Sequence, residues 1–448
     1  MWTLPTLNLG TFRAAGPLSR RKPAPPADPK RLDRILNGSR RLLSERGEAN
    51  SFAIAAELLV DLQALTPAQH PAFFELLSAE FGPDPQAVLD AAQRYAREPG
   101  AAQLIDLAAK VEPPRQELLR RLSRAPGGTA AIVALRRSLI TALKAKPELA
   151  AVESDFQHLL SSWFNAGFLQ MQRVDWGSSA ALLERIIEHE AVHAIDGWRD
   201  LRRRLQPDRR CFAFFHPALP GEPLIFVEVA LVPEMPEAIA PLIDPASEPG
   251  PLSEFKVATF YSISNCEPGL KGVSLGNFLI KRVAEQLKQE LPQLKSFCTL
   301  SPMPGFADWL KKSDRWADRG DLPARQLQRL TDADAVLRAA FGAALEGLSA
   351  LDPRTAAEPL RDAIERLAMH YLVHESVTPR ANAVAKFHLN NGARLERLNW
   401  AGDLGAKGLK QSLGLMVNYL YNLDEVEAQH ERFVHGEVVS SRRLARKL

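Results

Sequence analysis

The first half of the chain repeats apolar residues with the period of an α-helix. Apolar positions recur every three or four residues over 52–62 and 73–81, and charged residues occupy the opposite face. Thr66-Pro67 and Asp84-Pro85 each place a capping residue before a proline, as at the start of a helix. No fixed-length repeat accompanies this pattern, which disfavours a solenoid. We therefore predict a bundle of short helices over residues 29–175.

The pattern changes to α/β in the second half, residues 176–448. Short runs rich in β-branched and aromatic residues predict strands at 211–216, 224–232, 257–264 and 294–300. Longer amphipathic stretches predict helices at 179–205 and 274–291, and a mainly helical insertion at 314–375. The predicted fold class is α+β, with an all-α helical bundle followed by a mixed α/β domain.

Residues 1–28 have a different composition. They contain five prolines and four basic residues, with no acidic residue before Asp28. Prolines at 5 and 17 would interrupt an amphipathic helix, so we expect a disordered tail, with an organelle presequence as the alternative. The corresponding locations are the cytoplasm and, for a presequence, the mitochondrial matrix.

Composition and charge exclude several classes of protein. A formal net charge of +3 over 448 residues is too small for a dedicated nucleic-acid binder. The three cysteines form no CxxC pair, so neither a disulfide framework nor a thiolate zinc site is predicted, and the compartment is expected to be reducing. The apolar run 224–232 is broken by Glu228 and is far shorter than the roughly 20 residues of a membrane helix. A basic stretch at 115–137 favours a solvated helix face, with a phosphate or partner-docking surface as the alternative.

The motif His189-Glu190-Ala-Val-His193 matches the HExxH pattern of zinc peptidases. On a helix, residues i and i+4 share a face, so both imidazoles could bind one ion while the glutamate polarises a water molecule. The following residues supply no third ligand at the usual spacing, and a polar helix face near the domain junction is the favoured interpretation.

A glycine-bearing loop separates the predicted strand 257–264 from the predicted helix 274–291. Glycines at 269, 272 and 276 would let backbone N–H groups approach phosphate oxygens at a helix N-terminus. The spacing matches neither a dinucleotide fingerprint nor a P-loop. It fits better the pyrophosphate loop of an acyl-CoA-binding domain, in which Lys271 would meet the diphosphate. Loop glycines without a ligand remain the alternative.

Two further residues are candidates for chemistry. Ser301 directly follows a predicted strand in Ser301-Pro-Met-Pro-Gly305, and His388 precedes the predicted turn Asn390-Asn391-Gly392. A serine at the end of a strand can face a cleft, and a histidine can exchange a proton near neutral pH. Each is weak evidence alone, since serine before proline is common in turns and many buried histidines are structural.

Taken in order, these segments resemble the malonyl-CoA decarboxylase family. The resemblance extends through blocks at 162–169, 216–223, 260–264, 269–281, 300–306, 387–400 and 414–419. It implies a catalytic domain similar to the GNAT acyltransferases, assembly into homotetramers through the helical domain, malonyl-CoA as substrate, and no metal or organic cofactor. By the same resemblance, Ser301 is the catalytic serine and His388 the catalytic histidine. The acyl-CoA loop is then Lys271, Gly272, Val273, Ser274, Leu275, Gly276 and Asn277.

The chemistry expected from the resemblance is conversion of malonyl-CoA to acetyl-CoA and CO₂. Ser301 would orient the malonyl carboxylate and His388 would protonate the enolate carbon, while Asn390 or a backbone amide could polarise the thioester oxygen. A GNAT-type acetyltransferase is the main alternative. A zinc peptidase and a non-catalytic CoA-binding protein are weaker ones, since the resemblance assigns no zinc to the segment of His193.

Overall fold

The computed structural model describes residues 30–273, 275, 279–312, 322–375 and 382–447. The tail 1–28 and three residues of the predicted acyl-CoA loop, Ser274, Gly276 and Asn277, lie outside the described residues. The chain divides into two compact units between Leu159 and Leu160. Residues 170–174, which were predicted within the helical bundle, form a strand of the second unit's sheet.

The first unit consists of helices, as predicted. They are α1 (Arg31–Ser44), α2 (Glu48–Gln63), α3 (His70–Glu80), α4 (Pro85–Arg97), α5 (Ala101–Val111), α6 (Pro114–Arg124), α7 (Gly128–Ala142) and α8 (Ala150–Trp163), which continues past the division. Ile35, Phe74 and Leu77 are among its fully buried residues. Asp84 caps α4 by accepting from the N–H groups of Gln86 and Ala87. The predicted start at Thr66 is wrong, because α3 begins at His70.

The basic stretch 115–137 is not wholly a solvated face. Arg115 and Arg136 are buried, and their guanidinium groups pair with the carboxylates of Asp155 and Glu153. A buried charge is tolerated when it is paired in this way. The prediction was therefore wrong for these two arginines, which contribute to packing inside the helical unit.

An eight-stranded mixed sheet forms the centre of the second unit. Its strands are β1 (Gln170–Val174), β2 (Arg209–Phe215), β3 (Pro223–Val232), β4 (Val257–Asn265), β5 (Ser296–Thr299), β6 (Ser301–Pro302), β7 (Arg394–Asn399) and β8 (Met416–Tyr421). The order is β1-β2-β3-β4-β5-β8-β6, with β7 also paired to β8. Among these eight strands, β4 and β5 pair in parallel and the other pairs are antiparallel. The four predicted strands correspond to β2, β3, β4 and β5, and the predicted α+β class is confirmed.

The second unit also contains helices. They are α9 (Ala180–His189), α10 (Gly197–Arg204), α11 (Ala240–Ile243), α12 (Leu279–Glu290), α13 (Phe306–Leu310), α14 (Ala324–Phe341), α15 (Glu358–His370), α16 (Ala383–Asn390), α17 (Ala406–Ser412), α18 (Val426–Val434) and α19 (Arg442–Ala445). Within the described ranges, no helix is long and apolar enough to span a membrane.

The single helix predicted over 179–205 is wrong. Glu190 leaves the helical conformation, with ψ at 106°, and α10 begins only at Gly197. The carboxylate of Glu190 instead accepts hydrogen bonds from the loop backbone and from Ser262. These hydrogen bonds replace the backbone hydrogen bonds that a continuous helix would form at these residues.

Glu228, which interrupts the apolar run of β3, is fully buried. Arg204 of α10 donates to its Oε2 over 2.9 Å, and the same guanidinium donates to Asp200. Burial nevertheless raises the pKa of Glu228 to about 8. The carboxyl group is accommodated in the sheet because α10 brings a hydrogen-bond donor to it.

The strands β4 and β5 diverge after a short parallel pairing. Residues 257–260 of β4 pair with residues 296–299 of β5, and the N–H of Leu300 makes one more bond, 3.0 Å, to the carbonyl of Phe260. Beyond Phe260, the described strands give β4 no partner on this side. A cleft therefore opens between residues 261–265 of β4 and Ser301.

Candidate active site

Ser301 lies at the point where the two strands diverge. It is the first residue of β6, separated by one residue from the end of β5, and it pairs with Val417 of β8. The hydroxyl of Ser301 donates to Oγ1 of Thr299 over 2.9 Å, and Thr299 Oγ1 also accepts from the N–H of Tyr419. These contacts hold a serine side chain that is only 5% exposed.

His388 is placed by the short helix α16. The side chain of Asn382 caps the N-terminus of this helix by accepting from the N–H groups of Val384 and Ala385. The helix ends before Gly392, whose φ of +77° suits glycine and where a Cβ would approach Val426 O to 2.0 Å. The predicted turn after His388 is thus confirmed, and it holds the imidazole against the sheet.

A chain of hydrogen bonds connects His388 to its neighbours. Nε2 of His388 lies 2.9 Å from Ser301 Oγ, and Nδ1 lies 2.9 Å from the hydroxyl of Tyr421. Because Ser301 gives its proton to Thr299, the consistent tautomer has Nε2–H donating to Ser301 and Tyr421 donating to Nδ1. The ring of Tyr419 stacks on the imidazole at 4.6 Å between centroids. Contacts at both nitrogens and on one face therefore fix the orientation of the imidazole.

Burial controls the protonation of this group. His388 is 3% exposed, and burial lowers its pKa to about 3. Burial also raises the pKa of Tyr421 far above the usual range for a phenol. Near neutral pH both side chains are uncharged, and a negative charge brought into the cavity would raise the pKa of His388.

A cavity of about 280 Å³ contains Ser301 and His388. Its other walls come from β4, from the loop after α9 and from the exposed side of α16, and they are largely apolar. The lining includes Val192, Ile225, Phe260, Tyr261, Ser262, Ile263, Asn265, Pro302, Ala383, Val384 and Phe387. A small acyl group with one polar end fits this combination of an apolar wall and two polar side chains.

A second cavity of about 660 Å³ adjoins the first, and four residues line both: Ile225, Asn265, Ala383 and Phe387. The predicted loop lines it through Lys271, Gly272, Val273 and Leu275. It is also lined by Lys386 and Asn390 of α16 and by Asn391, which follows that helix. Two lysines thus flank a groove that leads to Ser301, and Asn390 lines this groove rather than the cavity of Ser301.

The HExxH residues do not form a metal site. His189 is the last residue of α9, so His189 and His193 do not share a helix face. Burial, together with the positive charges of Arg204 and Lys407, lowers the pKa of His193 to about 3. The part of the chain described by the structure contains no group of three or more His, Cys, Asp or Glu side chains that could hold an ion.

Sequence reasoning missed three members of the site. Tyr421 and Thr299 contact the two candidate residues, and Lys386 lines the groove two positions before His388. The alternation of Tyr419 and Tyr421 in β8 marked an aromatic strand, but strand pairing alone decides which tyrosine meets His388. Lys386 could have been found from its position on the helix of His388.

Comparison with known proteins gives a consistent result. The family model described as malonyl-CoA decarboxylase C-terminal domain matches residues 167–448, and the one described as malonyl-CoA decarboxylase N-terminal domain matches residues 81–164. The chain belongs to the malonyl-CoA decarboxylase family. The resemblance stated from the sequence is confirmed.

Relatives in the malonyl-CoA decarboxylase family align along most of the chain. The mitochondrial malonyl-CoA decarboxylase of Anser anser anser is 32% identical over 97% of this chain and 92% of its own. The crystal structure of malonyl-CoA decarboxylase from Rhodopseudomonas palustris is 45% identical, covers 93% of this chain and 99% of its own, and has a TM-score of 0.82. The one from Agrobacterium vitis is 43% identical, covers 92% and 99%, and has a TM-score of 0.77. This member of the malonyl-CoA decarboxylase family therefore shares both units with its relatives.

Proposed function

We propose that this protein is a carboxy-lyase that converts malonyl-CoA to acetyl-CoA and CO₂, with Ser301 and His388 as its catalytic residues. The observation that carries the proposal is the 2.9 Å contact between Ser301 Oγ and His388 Nε2 inside a small, largely apolar cavity. Membership of the malonyl-CoA decarboxylase family supports the substrate.

Ser301 acts on the carboxylate. Its hydroxyl turns from Thr299 to donate to the malonyl carboxylate, which is held out of the plane of the thioester. In that orientation the electrons of the breaking C–C bond pass into the thioester carbonyl as CO₂ leaves. The apolar walls from Ile225 and Phe260 favour loss of the charged carboxylate as neutral CO₂.

His388 supplies the proton. The carboxylate brings a negative charge against a neutral imidazole, which raises the pKa of His388 and lets it bind a proton as substrate enters. After CO₂ leaves, Nε2 gives its proton to the α-carbon of the enolate, which leaves a neutral imidazole whose remaining proton is on Nδ1, beside the hydroxyl of Tyr421. Each turnover consumes one proton, because the malonyl carboxylate leaves as neutral CO₂ and the α-carbon of acetyl-CoA gains a hydrogen.

The second cavity takes the rest of the thioester. Lys271 and Lys386 carry the positive charges that suit the coenzyme A phosphates, and Gly272 leaves its backbone accessible at a φ of +79°. Ser274, Gly276 and Asn277 belong to the same proposed loop on the strength of the family resemblance.

The proposal is tested by incubating the purified protein with malonyl-CoA alone. Acetyl-CoA and CO₂ should form without an acceptor amine. Ser301→Ala removes the orienting hydroxyl and His388→Asn removes the proton donor. Each variant should lower kcat by about 100-fold or more. The affinity of both variants for CoA, measured by calorimetry, should change little.

Two matched variants serve as controls. Ser253→Ala changes an exposed serine and His189→Asn changes the histidine at the end of α9, and both should retain the activity of the parent. Turnover only in the presence of an amine would instead indicate an acetyltransferase. Full activity in both Ser301→Ala and His388→Asn would overturn the site assignment.

We also propose that the protein assembles as a homotetramer through the helical unit, an organisation suggested by the family resemblance. Support comes from α5, which is apolar but has no buried residue. Its Leu104, Ile105 and Val111 are exposed, and apolar faces of this kind commonly mark interfaces. For location we propose the cytoplasm, with the mitochondrial matrix as the alternative supported by the names of the animal relatives.

A further inference from the structure

Glu190 of the HExxH motif holds the loop that follows α9. Its Oε1 accepts from the N–H groups of Val192 and His193, each over 2.8 Å, and its two oxygens accept from Ser262 Oγ over 2.8 and 2.6 Å. The N–H of Ala191 donates to Ser264 Oγ. Three successive loop amides are thus bonded to Glu190 or to β4.

Lys407 holds the same loop from another element. This exposed residue of α17 donates through Nζ to the carbonyl of Ala191 over 2.6 Å and to that of Val192 over 3.1 Å. Both the donors and the acceptors of the loop backbone are therefore engaged. Moving the loop would break hydrogen bonds on two sides, and several of them involve charged groups.

Val192 is the residue through which this loop enters the cavity of Ser301 and His388. The neighbouring walls, Ile225 and Ile263, belong to strands of the sheet. A substituent on the α-carbon of the acyl group would need space in this cavity. Val192 is the part of the cavity wall that the loop after α9 contributes, so its position sets how much of that space is available.

We propose that Val192 determines specificity by excluding malonyl thioesters that carry a substituent on the α-carbon, and that Glu190 and Lys407 are positioning residues for it. This inference rests on the proposed function. The glutamate of a motif that suggests a metallopeptidase thus serves to shape an acyl pocket.

The experiment compares kcat/KM for malonyl-CoA and methylmalonyl-CoA in the full-length protein. One methyl group in an apolar pocket changes selectivity by about 10- to 200-fold. We expect Val192→Ala to raise the methylmalonyl-to-malonyl ratio by about tenfold or more. Lys407→Met should raise it by a few-fold, because the loop loses one of its two attachments. A general loss of stability would lower both rates and leave the ratio unchanged.

Lys410→Met is the matched control, since Lys410 is an exposed lysine of the same helix α17 and, among the described residues, forms no hydrogen bond with the loop. The methylmalonyl-to-malonyl ratio of kcat/KM in Lys410→Met should equal that of the parent. An unchanged ratio in Val192→Ala, in a parent that decarboxylates malonyl-CoA, would overturn the role of Val192 alone. A parent that releases no CO₂ from malonyl-CoA would instead contradict the proposed function. If Val192→Ala fails to fold, the methylmalonyl-to-malonyl ratio of Lys407→Met is the test. A rise supports the proposal, and an unchanged ratio overturns it.

Discussion

At the scale of residues, the environment of His388 decides what the imidazole can do. Ser301 and Tyr421 engage its two nitrogens, and Tyr419 covers one face. A histidine surrounded in this way keeps one orientation, with Nε2 directed to the cavity. The neighbours also contribute no charge, so the protonation state of His388 depends on what enters the cavity.

Tyr421 provides the sharpest test of this arrangement. Tyr421→Phe removes the hydrogen-bond partner that the described residues supply to His388 Nδ1 and leaves that buried nitrogen unpaired, which costs about 1–3 kcal/mol. We expect kcat to fall by about tenfold while KM changes little, because the phenol does not line either cavity. Steady-state kinetics check this, with Tyr95→Phe in α4 as the control. An unchanged kcat would show that Tyr421 does not position His388.

At the scale of elements, sequence periodicity leaves two features undecided. The stretch after α9 has helical periodicity but forms a loop, since Glu190 finds better partners in Ser262 and the loop amides than a helix would offer. Helix α5 lies in the predicted helical bundle, but none of the described residues buries its apolar face. Periodicity identifies an apolar face and leaves open what will cover it.

The face of α5 leads to a prediction about assembly. Ile105 is 69% exposed on α5, and Val60 on α2 is 68% exposed. Ile105→Glu should reduce the mass of the assembly, measured by light scattering, because an interface on α5 would bury an unpaired carboxylate. Val60→Glu introduces the same charge at a similarly exposed apolar site and should leave the mass unchanged. An unaltered mass in Ile105→Glu would exclude α5 from the interface.

At the scale of the whole molecule, two buried histidines make the folded state sensitive to acid. Burial lowers the pKa of His193 and of His388 to about 3, whereas an unfolded chain binds protons at histidine near pH 6.5. As the pH falls below 6.5, the unfolded state therefore takes up protons that the folded state does not, and stability decreases. Each histidine contributes about 2 kcal/mol to the loss between pH 7.5 and pH 5.

Denaturation by urea at pH 7.5 and at pH 5 tests this expectation. His193→Gln and His388→Asn should each lose about 2 kcal/mol less than the parent between the two pH values. Ser253→Ala, which removes no titratable group, should follow the parent. Equal losses in the parent and both histidine variants would contradict the lowered pKa values.

Much of this molecule could be predicted from local sequence. The strands β2, β3 and β4 follow from apolar runs, the start of α4 from Asp84-Pro85, and the turn after His388 from Asn391-Gly392. Each depends on interactions within a few residues. The break after His189 and the burial of Arg115 could not be predicted in this way, because the groups that stabilise them, Ser262 and Asp155, are distant in the chain.

By itself, the sequence determined the fold class, the membership of the malonyl-CoA decarboxylase family and the identity of Ser301 and His388 as candidates. Only the tertiary structure decided that these two side chains lie 2.9 Å apart, that Tyr421 rather than Tyr419 bonds to the imidazole, and that Glu190 holds a wall of the cavity. The physical reason is that secondary structure and capping depend on neighbouring residues. A site instead depends on where β4 and β5 diverge and on which helices pack at that point.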